Sequence, residues 1–257
     1  MKKLILIKFG GSLISDKSKI DTARLDVISN LSKQIKEILD QKKDLSLIIA
    51  TGAGGFGHPL AEKYKNNLEK GLPKIKKAVK KINQIVVNSL NKEGIKSESV
   101  EPSGISEYKN EKMVSLFHGS IVSLLEKNII PVFHADLTKD QQLGISILSM
   151  DKFLVDLAIF FKNKGYKIEK VIFAGTTAGV VSRVGTTIQR ITKNSFLKIK
   201  EVFYQGKGID VSGGMMGKVR ECLRLIDEKI PCIIIDGQKE NNFKNAILDK
   251  EVFGTQI

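Results

Sequence analysis

Residues 45–58 read LSLIIATGAGGFGH, a short apolar run that breaks into four glycines within six residues and ends on His58. An uninterrupted run of this length fits a strand buried on both faces. Glycines at its end let backbone N–H groups approach an anion closely, and a helix N-terminus following them adds positive potential. Gly52, Gly54 and Gly57 also satisfy the dinucleotide pattern G-x-G-x-x-G. That pattern needs an acidic residue about 20 positions on to hold a ribose. Residues 74–81 instead read KIKKAVKK, a basic helix, so the loop is read as a cradle for some other phosphate.

The same kind of run recurs at Leu4 to Phe9, Ile129 to His134, Lys170 to Ala174 and Cys232 to Asp236. Between the first two strands, Leu25, Ile28, Leu31, Ile35 and Ile38 fall at steps of three and four, the spacing of one helix face, with Thr22 or Asp21 as its expected cap. Further helices are expected over 73–93, 151–162 and 216–228 and after Asn242, and a polar, loop-rich stretch over 99–113. Strands alternating with helices argue an α/β fold, a three-layer αβα sandwich around a mostly parallel open sheet. Ligands bind such sheets beyond the carboxyl ends of the strands. The chain reads as one domain over 1–257, with a division near Gly165 into lobes of about 1–165 and 166–257.

Composition narrows the classes of function. No apolar run approaches the ~18 residues that cross a bilayer. The start MKKLILIKFGG lacks the cleavage site of a signal peptide, so a cytoplasmic protein is expected. Cys222 and Cys232 have no metal-ligand spacing and are expected to be reduced and buried. The net charge of +14 invites a nucleic-acid reading, yet of 42 basic residues only Arg24, Arg183, Arg190, Arg220 and Arg224 are arginine, the residue base readers favour. Lysines spread along the whole chain suit solvated faces, and their field can draw in a small phosphorylated substrate.

Two more glycine loops carry lysines. Lys8-Phe9-Gly10-Gly11-Ser12 leaves the first strand and runs on to Lys17, and Asp210 to Lys218 places Gly213 and Gly214 before a lysine at a helix start. Neither is a Walker A loop. Three such loops, two of them supplying lysines, suggest several phosphates held close together. Phosphoryl transfer requires that, because its catalysis is mostly positioning and charge neutralisation.

These stretches make the sequence resemble the amino acid kinase superfamily, and within it the isopentenyl phosphate kinases. The opening K-x-G-G-S-x-I-[ST]-x-K of those enzymes matches Lys8 to Lys17, their G-A-G-S-F-G-H loop matches Gly52 to His58 with Gly55 for serine, and D-V-T-G-G-M-x-x-K matches Asp210 to Lys218. The chain ends Gly254-Thr255-Gln256-Ile257, similar to their terminal G-T-x-I. The resemblance implies ATP and magnesium as cofactors, a small phosphorylated isoprenoid as partner, and a homodimer, with no nucleic acid or membrane involved. It implies that Lys8, Lys17, His58 and Lys218 are catalytic. Lys8, Gly10, Gly11, Ser12, Gly55, Thr176, Gly179, Gly214 and Lys218 would hold ATP. Gly54, Gly55, His58, Met150 and Asp151 would hold the acceptor, with no metal ligand from the protein. An apolar pocket for the prenyl tail is expected on the 73–93 helix, from residues such as Ile82, Ile85 and Val86.

The pattern also departs from that family. I-L-S-G-D-D reads Ile147-Leu148-Ser149-Met150-Asp151-Lys152, and A-T-D-V-D-G-V reads Ala174-Gly175-Thr176-Thr177-Ala178-Gly179-Val180, so both aspartates of the nucleotide side are gone. Two rivals therefore stand beside an isopentenyl phosphate kinase. One is a kinase for another small phosphate or phosphonate such as fosfomycin, and the other a ligand-binding protein descended from a kinase. Asp151 is expected either to cap its helix or to orient a catalytic lysine. Arg220 and Arg224 are expected to be solvated.

Overall fold

The computed structural model describes residues 3–16, 18–182, 184–199 and 214–257. Lys17, and the Asp210 to Gly213 part of the third glycine loop, lie outside the described residues. In chain order the elements are β1 (Lys3–Phe9), α1 (Gly11–Ile14), α2 (Leu25–Gln41), β2 (Leu45–Thr51), α3 (Gly54–Lys63), α4 (Leu68–Lys92), β3 (Ser97–Val100), β4 (Ser106–Lys109), β5 (Lys112–Leu116), α5 (Gly119–Glu126), β6 (Ile130–His134), β7 (Asp136–Asp140), β8 (Gly144–Leu148) and α6 (Met150–Asn163). They continue with β9 (Ile168–Gly175), β10 (Val180–Val181), β11 (Thr187–Ile188), α7 (Lys193–Ile199), α8 (Gly214–Asp227), β12 (Cys232–Asp236), α9 (Asn242–Ile247) and β13 (Gly254–Gln256).

The main sheet runs β13-β12-β9-β1-β2-β6-β3, parallel throughout except for β13 on its edge. Side chains alternate across it with a period of two. Leu4, Leu6, Ile48 and Ala50 face a layer formed by α5, α6 and α8. Ile5, Ile7, Phe9, Leu47 and Ile49 face the opposite layer of α2, α4 and α9. The three-layer αβα arrangement is the one the alternating pattern implies, and each buried Leu or Ile contributes about 1.5–3 kcal/mol to it.

Three expectations need correction. The N-cap of α2 is Arg24, with no side-chain cap bond; Asp21 sits at φ 54° and the Thr22 hydroxyl donates to the Ile20 carbonyl. Helix α4 starts at Leu68 rather than 73, capped by Asn67, whose side chain accepts from the Lys70 N–H, and Pro73 lies inside the helix. Proline suits a first turn and so reads as a start. The stretch 99–113 is not mainly loop: β4 and β5 join β7 and β8 in a four-stranded sheet, order β5-β4-β7-β8. Ser106 and Tyr108 point inward and Glu107 and Lys109 outward, so polar alternation disguised a strand. This smaller sheet carries Leu137, Ile147 and Leu148 to the edge of the cavity described next.

Candidate active site

A cavity of about 180 Å³ opens where β1, β2, β6, β9 and β12 reach their carboxyl ends. Lys8, Gly10, Gly11, Ser12, His58, Met150, Asp151, Thr176, Gly214 and Lys218 all line it, brought there from positions up to 210 residues apart. Gly54, Gly55 and Gly179 do not line it.

The glycines explain how two loops meet. A Cβ on Gly11 would lie 2.2 Å from the Gly54 nitrogen, and one on Gly52 would lie 2.5 Å from the Gly11 nitrogen. Gly54 has φ +50° and an added Cβ would be 2.1 Å from Ser15 Oγ. The loops after β1 and β2 thus touch backbone to backbone, which no side chain permits. Ser15, not flagged from sequence, stitches them: its hydroxyl donates to the Gly11 carbonyl at 2.7 Å and accepts from the Gly55 N–H at 2.9 Å. Gly54 and Gly55 stand behind the lining, in the packing between the two loops. Gly179, at φ +93°, is seated against Thr255, whose hydroxyl accepts from the Val180 N–H at 2.7 Å. What remains open to a ligand is the first turn of α1 at Gly11 and Ser12, whose N–H groups have no intrahelical acceptor.

The floor of the cavity carries charge. Asp151 Oδ1 takes Lys8 Nζ at 2.5 Å and Lys218 Nζ at 2.9 Å, while Oδ2 lies 3.0 Å from Lys218 Nζ. Both Lys8 and Asp151 are buried, and the Phe173 ring sits 5.2 Å from the Lys218 ammonium. Burial alone would push the Asp151 carboxyl up; Lys218 and Lys8 outweigh it and hold it at about 2. Two ammonium groups and one carboxylate leave a net charge of +1 at the cavity floor. Of the two roles expected for Asp151, the lysine-orienting one is seen. The helix is capped by Ser149, whose hydroxyl accepts from the Lys152 N–H at 3.4 Å.

One end of the cavity is apolar. Ala61 of α3, Ile75 and Val79 of α4, and Leu137, Ile147 and Met150 form its wall, with His58 one turn before Ala61. Helix α4 does line it, but not through the residues expected. Ile82 and Val86 are buried in the layer beneath the main sheet and Ile85 packs against that layer, one to three turns past the cavity. Asp136 also reaches the wall, with its charge already committed: Lys76 Nζ lies 3.4 Å away, and the Ser103 and Leu137 N–H groups donate to it at 2.9 and 2.8 Å. Arg220 is exposed as expected; Arg224 is not simply solvated, since it pairs with the buried Asp156 at 2.6 Å. Cys222 and Cys232 are buried free thiols.

Among the described residues no cluster of three or more His, Cys, Asp or Glu side chains could hold a metal ion. The two carboxylates at the cavity, Asp151 and Asp136, are both neutralised by lysines. Among the described residues, a divalent cation at the cavity would find its oxygens on a phosphorylated ligand.

Comparison with known proteins agrees with this architecture. Over 267 aligned residues the chain is 32% identical to the isopentenyl phosphate kinase of Methanocaldococcus jannaschii, covering 99% of this chain and 98% of that one. It is 30% identical to the isopentenyl phosphate kinase of Methanothermobacter thermautotrophicus, with 99% and 98% covered. An X-ray structure of an isopentenyl phosphate kinase superposes with a TM-score of 0.77 at 25% identity, covering 99% of this chain and 100% of that chain. The profile of the amino acid kinase family matches residues 3–236. With the lysine–aspartate–lysine floor, the interlocked glycine loops and the sheet order all in place, the chain belongs to the amino acid kinase family.

Proposed function

We propose that this kinase transfers the terminal phosphoryl group of ATP to isopentenyl phosphate, giving isopentenyl diphosphate for isoprenoid synthesis. The observation that carries the reading is the position of the Lys8–Asp151–Lys218 floor. It belongs to one cavity lined both by Gly10, Gly11, Ser12, Thr176 and Gly214 and by the apolar side chains of Ala61, Ile75, Val79, Leu137 and Ile147. A nucleotide triphosphate suits the first group of residues, and a phosphate with a short branched hydrocarbon tail suits the second.

The chemistry follows from charge. An alkyl monophosphate already carries an anionic oxygen near neutral pH. That oxygen attacks the terminal phosphorus of ATP, the bond to the bridging oxygen breaks, and ADP leaves, so no strong general base is needed. The barrier lies in bringing two anions together, which the net positive floor opposes directly. Lys8 and Lys218 are read as neutralising the phosphates where they meet, with Asp151 paired to both. The first turn of α1 offers Gly11 and Ser12 N–H groups to the nucleotide phosphates. His58, which lines the cavity, is read as donating to the acceptor phosphate, and Lys17 as stabilising the transferring group by family pattern alone. Magnesium is read as arriving on the nucleotide.

On this reading residues up to about 165 receive the acceptor and the later ones the nucleotide. The enzyme is read as a cytoplasmic homodimer. That rests on family pattern and on small water-soluble substrates, and among the described residues no helix is long and apolar enough to cross a membrane. The fosfomycin reading is disfavoured by an apolar end that a short polar phosphonate would leave unfilled. The non-catalytic reading is disfavoured by the intact cationic floor. A coupled ADP-release assay with ATP and magnesium, run against isopentenyl phosphate, other alkyl phosphates and fosfomycin, is expected to rank isopentenyl phosphate first. His58→Ala is expected to weaken that acceptor selectively. Turnover of fosfomycin alone, or ATP binding with no turnover of any acceptor, would defeat the proposal.

A further inference from the structure

A second ion pair joins the two helices that meet at Asp151 and Lys218. Five residues further along α6, Asp156 carries a side chain only 5% exposed. Its Oδ1 accepts from Arg224 Nη2 at 2.6 Å, and its Oδ2 accepts from the Tyr108 hydroxyl at 3.2 Å. Arg224 stands six residues beyond Lys218 on α8, and its other arm donates to Glu221 at 2.5 Å. At the helical rise of about 1.5 Å per residue, the two cross-links lie roughly 8 Å apart along the same pair of helices, like successive rungs.

Beside the first rung, on the side of the smaller sheet, lies a cavity of about 190 Å³, lined among others by Tyr108, Ser149, Asp151, Gly217 and Glu221. The first turns of α8 therefore face a polar gap on the side of the smaller sheet, while Val219, Cys222 and Leu225 bury its other face. Apolar packing is non-directional, so the exact placement of α8 against α6 is set by the directional polar contacts between them. A buried ion pair adds little net stability compared with apolar residues of the same shape, but it is specific in geometry. Arginine's planar fork, shared here between Asp156 and Glu221, is suited to that task.

We propose that Arg224, held by Asp156 and Tyr108, is a positioning residue for phosphoryl transfer: the second rung sets the placement of α8 and so seats the Lys218 ammonium on Asp151. The proposal rests on the phosphotransferase reading of the cavity and names a residue outside it.

The experiment is a double-mutant cycle of Arg224→Met with Lys218→Met, read both as isopentenyl phosphate turnover and as ATP affinity by calorimetry. Arg224→Met in the parent is expected to lower kcat about tenfold with the acceptor KM changed less than about twofold, and to weaken ATP by a similar factor. In the Lys218→Met background the same substitution is expected to change ATP affinity less than about twofold, because the group it positions is already gone. Arg224→Lys should restore part of the loss, and Tyr108→Phe, which removes only one hydroxyl, should reproduce a smaller version of it. Equal losses of ATP affinity in both backgrounds, or no loss in the parent, would overturn the proposal. A parent that binds ATP with this coupling intact but turns over no acceptor would defeat the function proposed above and leave this inference standing.

Discussion

Asp151→Asn tests the charge arithmetic of the floor most directly. The substitution keeps the size of the side chain and removes one negative charge from between two positive ones. Both ammonium nitrogens contact the same oxygen, at 2.5 and 2.9 Å, so laid end to end they are no more than about 5.4 Å apart. At that separation, with an effective dielectric of about 20, bare repulsion between them is about 3 kcal/mol. Without the carboxylate the two ammonium groups lose the counter-ion they share, and the pair relaxes by moving a lysine away or by losing a proton. Either change removes a cation from where the two phosphates meet, and a fall in kcat of about 10²- to 10³-fold is expected. The pH dependence has a defined sign: activity of the variant should decline as pH rises through the mildly alkaline range, where the parent holds steady. A coupled ADP-release assay from pH 6 to 9 reads both. If Asp151→Asn kept kcat within about threefold of the parent, with an unchanged pH profile, the view of Asp151 as keystone of the two lysines would be wrong.

The remaining predictions concern stability and specificity. Since the folded Asp151 carboxyl is held at about 2 against an ordinary 3.8, its stabilisation is complete above about pH 4 and is lost as pH falls towards 2. The difference in urea midpoint between the parent and Asp151→Asn should therefore narrow over that window; a constant difference would contradict it. Gly11→Ala places a methyl 2.2 Å from the Gly54 nitrogen and 2.5 Å from its Cα, both backbone atoms that cannot swing aside. A loss of about 3 kcal/mol is expected, seen as a drop in Tm of roughly 6–12 °C. Gly104→Ala, where an added Cβ meets nothing within 4 Å, should stay within about 0.5 kcal/mol. Ile75→Ala or Val79→Ala should shift acceptor preference towards longer tails by about fourfold per added methylene, the scale of ~0.8 kcal/mol per buried CH₂. Ile82→Val should cost about 0.5–1.5 kcal/mol of stability and leave chain-length preference unchanged; equal effects of Ile75 and Ile82 on preference would refute the placement of the apolar wall.

The strands of the main sheet were legible because burial on both faces forces short continuous apolar runs, as in β1, β2 and β12. The smaller sheet was not, because one side of β4 and β5 meets water and the residues between its strands are polar. Asp140, for example, accepts N–H bonds from Asn110, Glu111, Gln142 and Leu143 and thereby ties together two turns that read as loop. The lysines of the site were legible through their glycine neighbours. Their partner was only half legible, since Asp151 meets Lys8 across 143 positions and Lys218 across 67. No local spacing encodes such a meeting. Glycines are legible in a limited way: a missing side chain signals close approach but does not say whether a ligand or another backbone approaches. At Gly54, Gly55 and Gly179 it is backbone or a buried hydroxyl. Arg224 was misread because the face of α8 was considered without α6, which supplies its carboxylate.

The departures from the family pattern gain meaning from where they fall. Lys152, standing in place of a second acid, turns away from the reaction cavity towards the polar gap behind Asp151, alongside Glu111 and Glu221. Thr176, in place of an aspartate, lines the cavity, with its hydroxyl 3.5 Å from Ser12 Oγ. Met150, in place of glycine, is buried in the wall of the cavity and packs into the core beneath α6. None of these touches the charges of Lys8, Asp151 or Lys218. Losing two carboxylates on the nucleotide side reduces repulsion of a polyanion there rather than adding to it. A change that disabled transfer would have to strike the floor or the contact between the two glycine loops, because these set where the anions meet and what offsets their repulsion. Thr176 and Met150 instead stand in the walls of the cavity, which on the proposed reading govern the nucleotides and acceptors that fit. On the proposed reading, divergence at these positions bears on which ligands fit rather than on the lysine–aspartate floor.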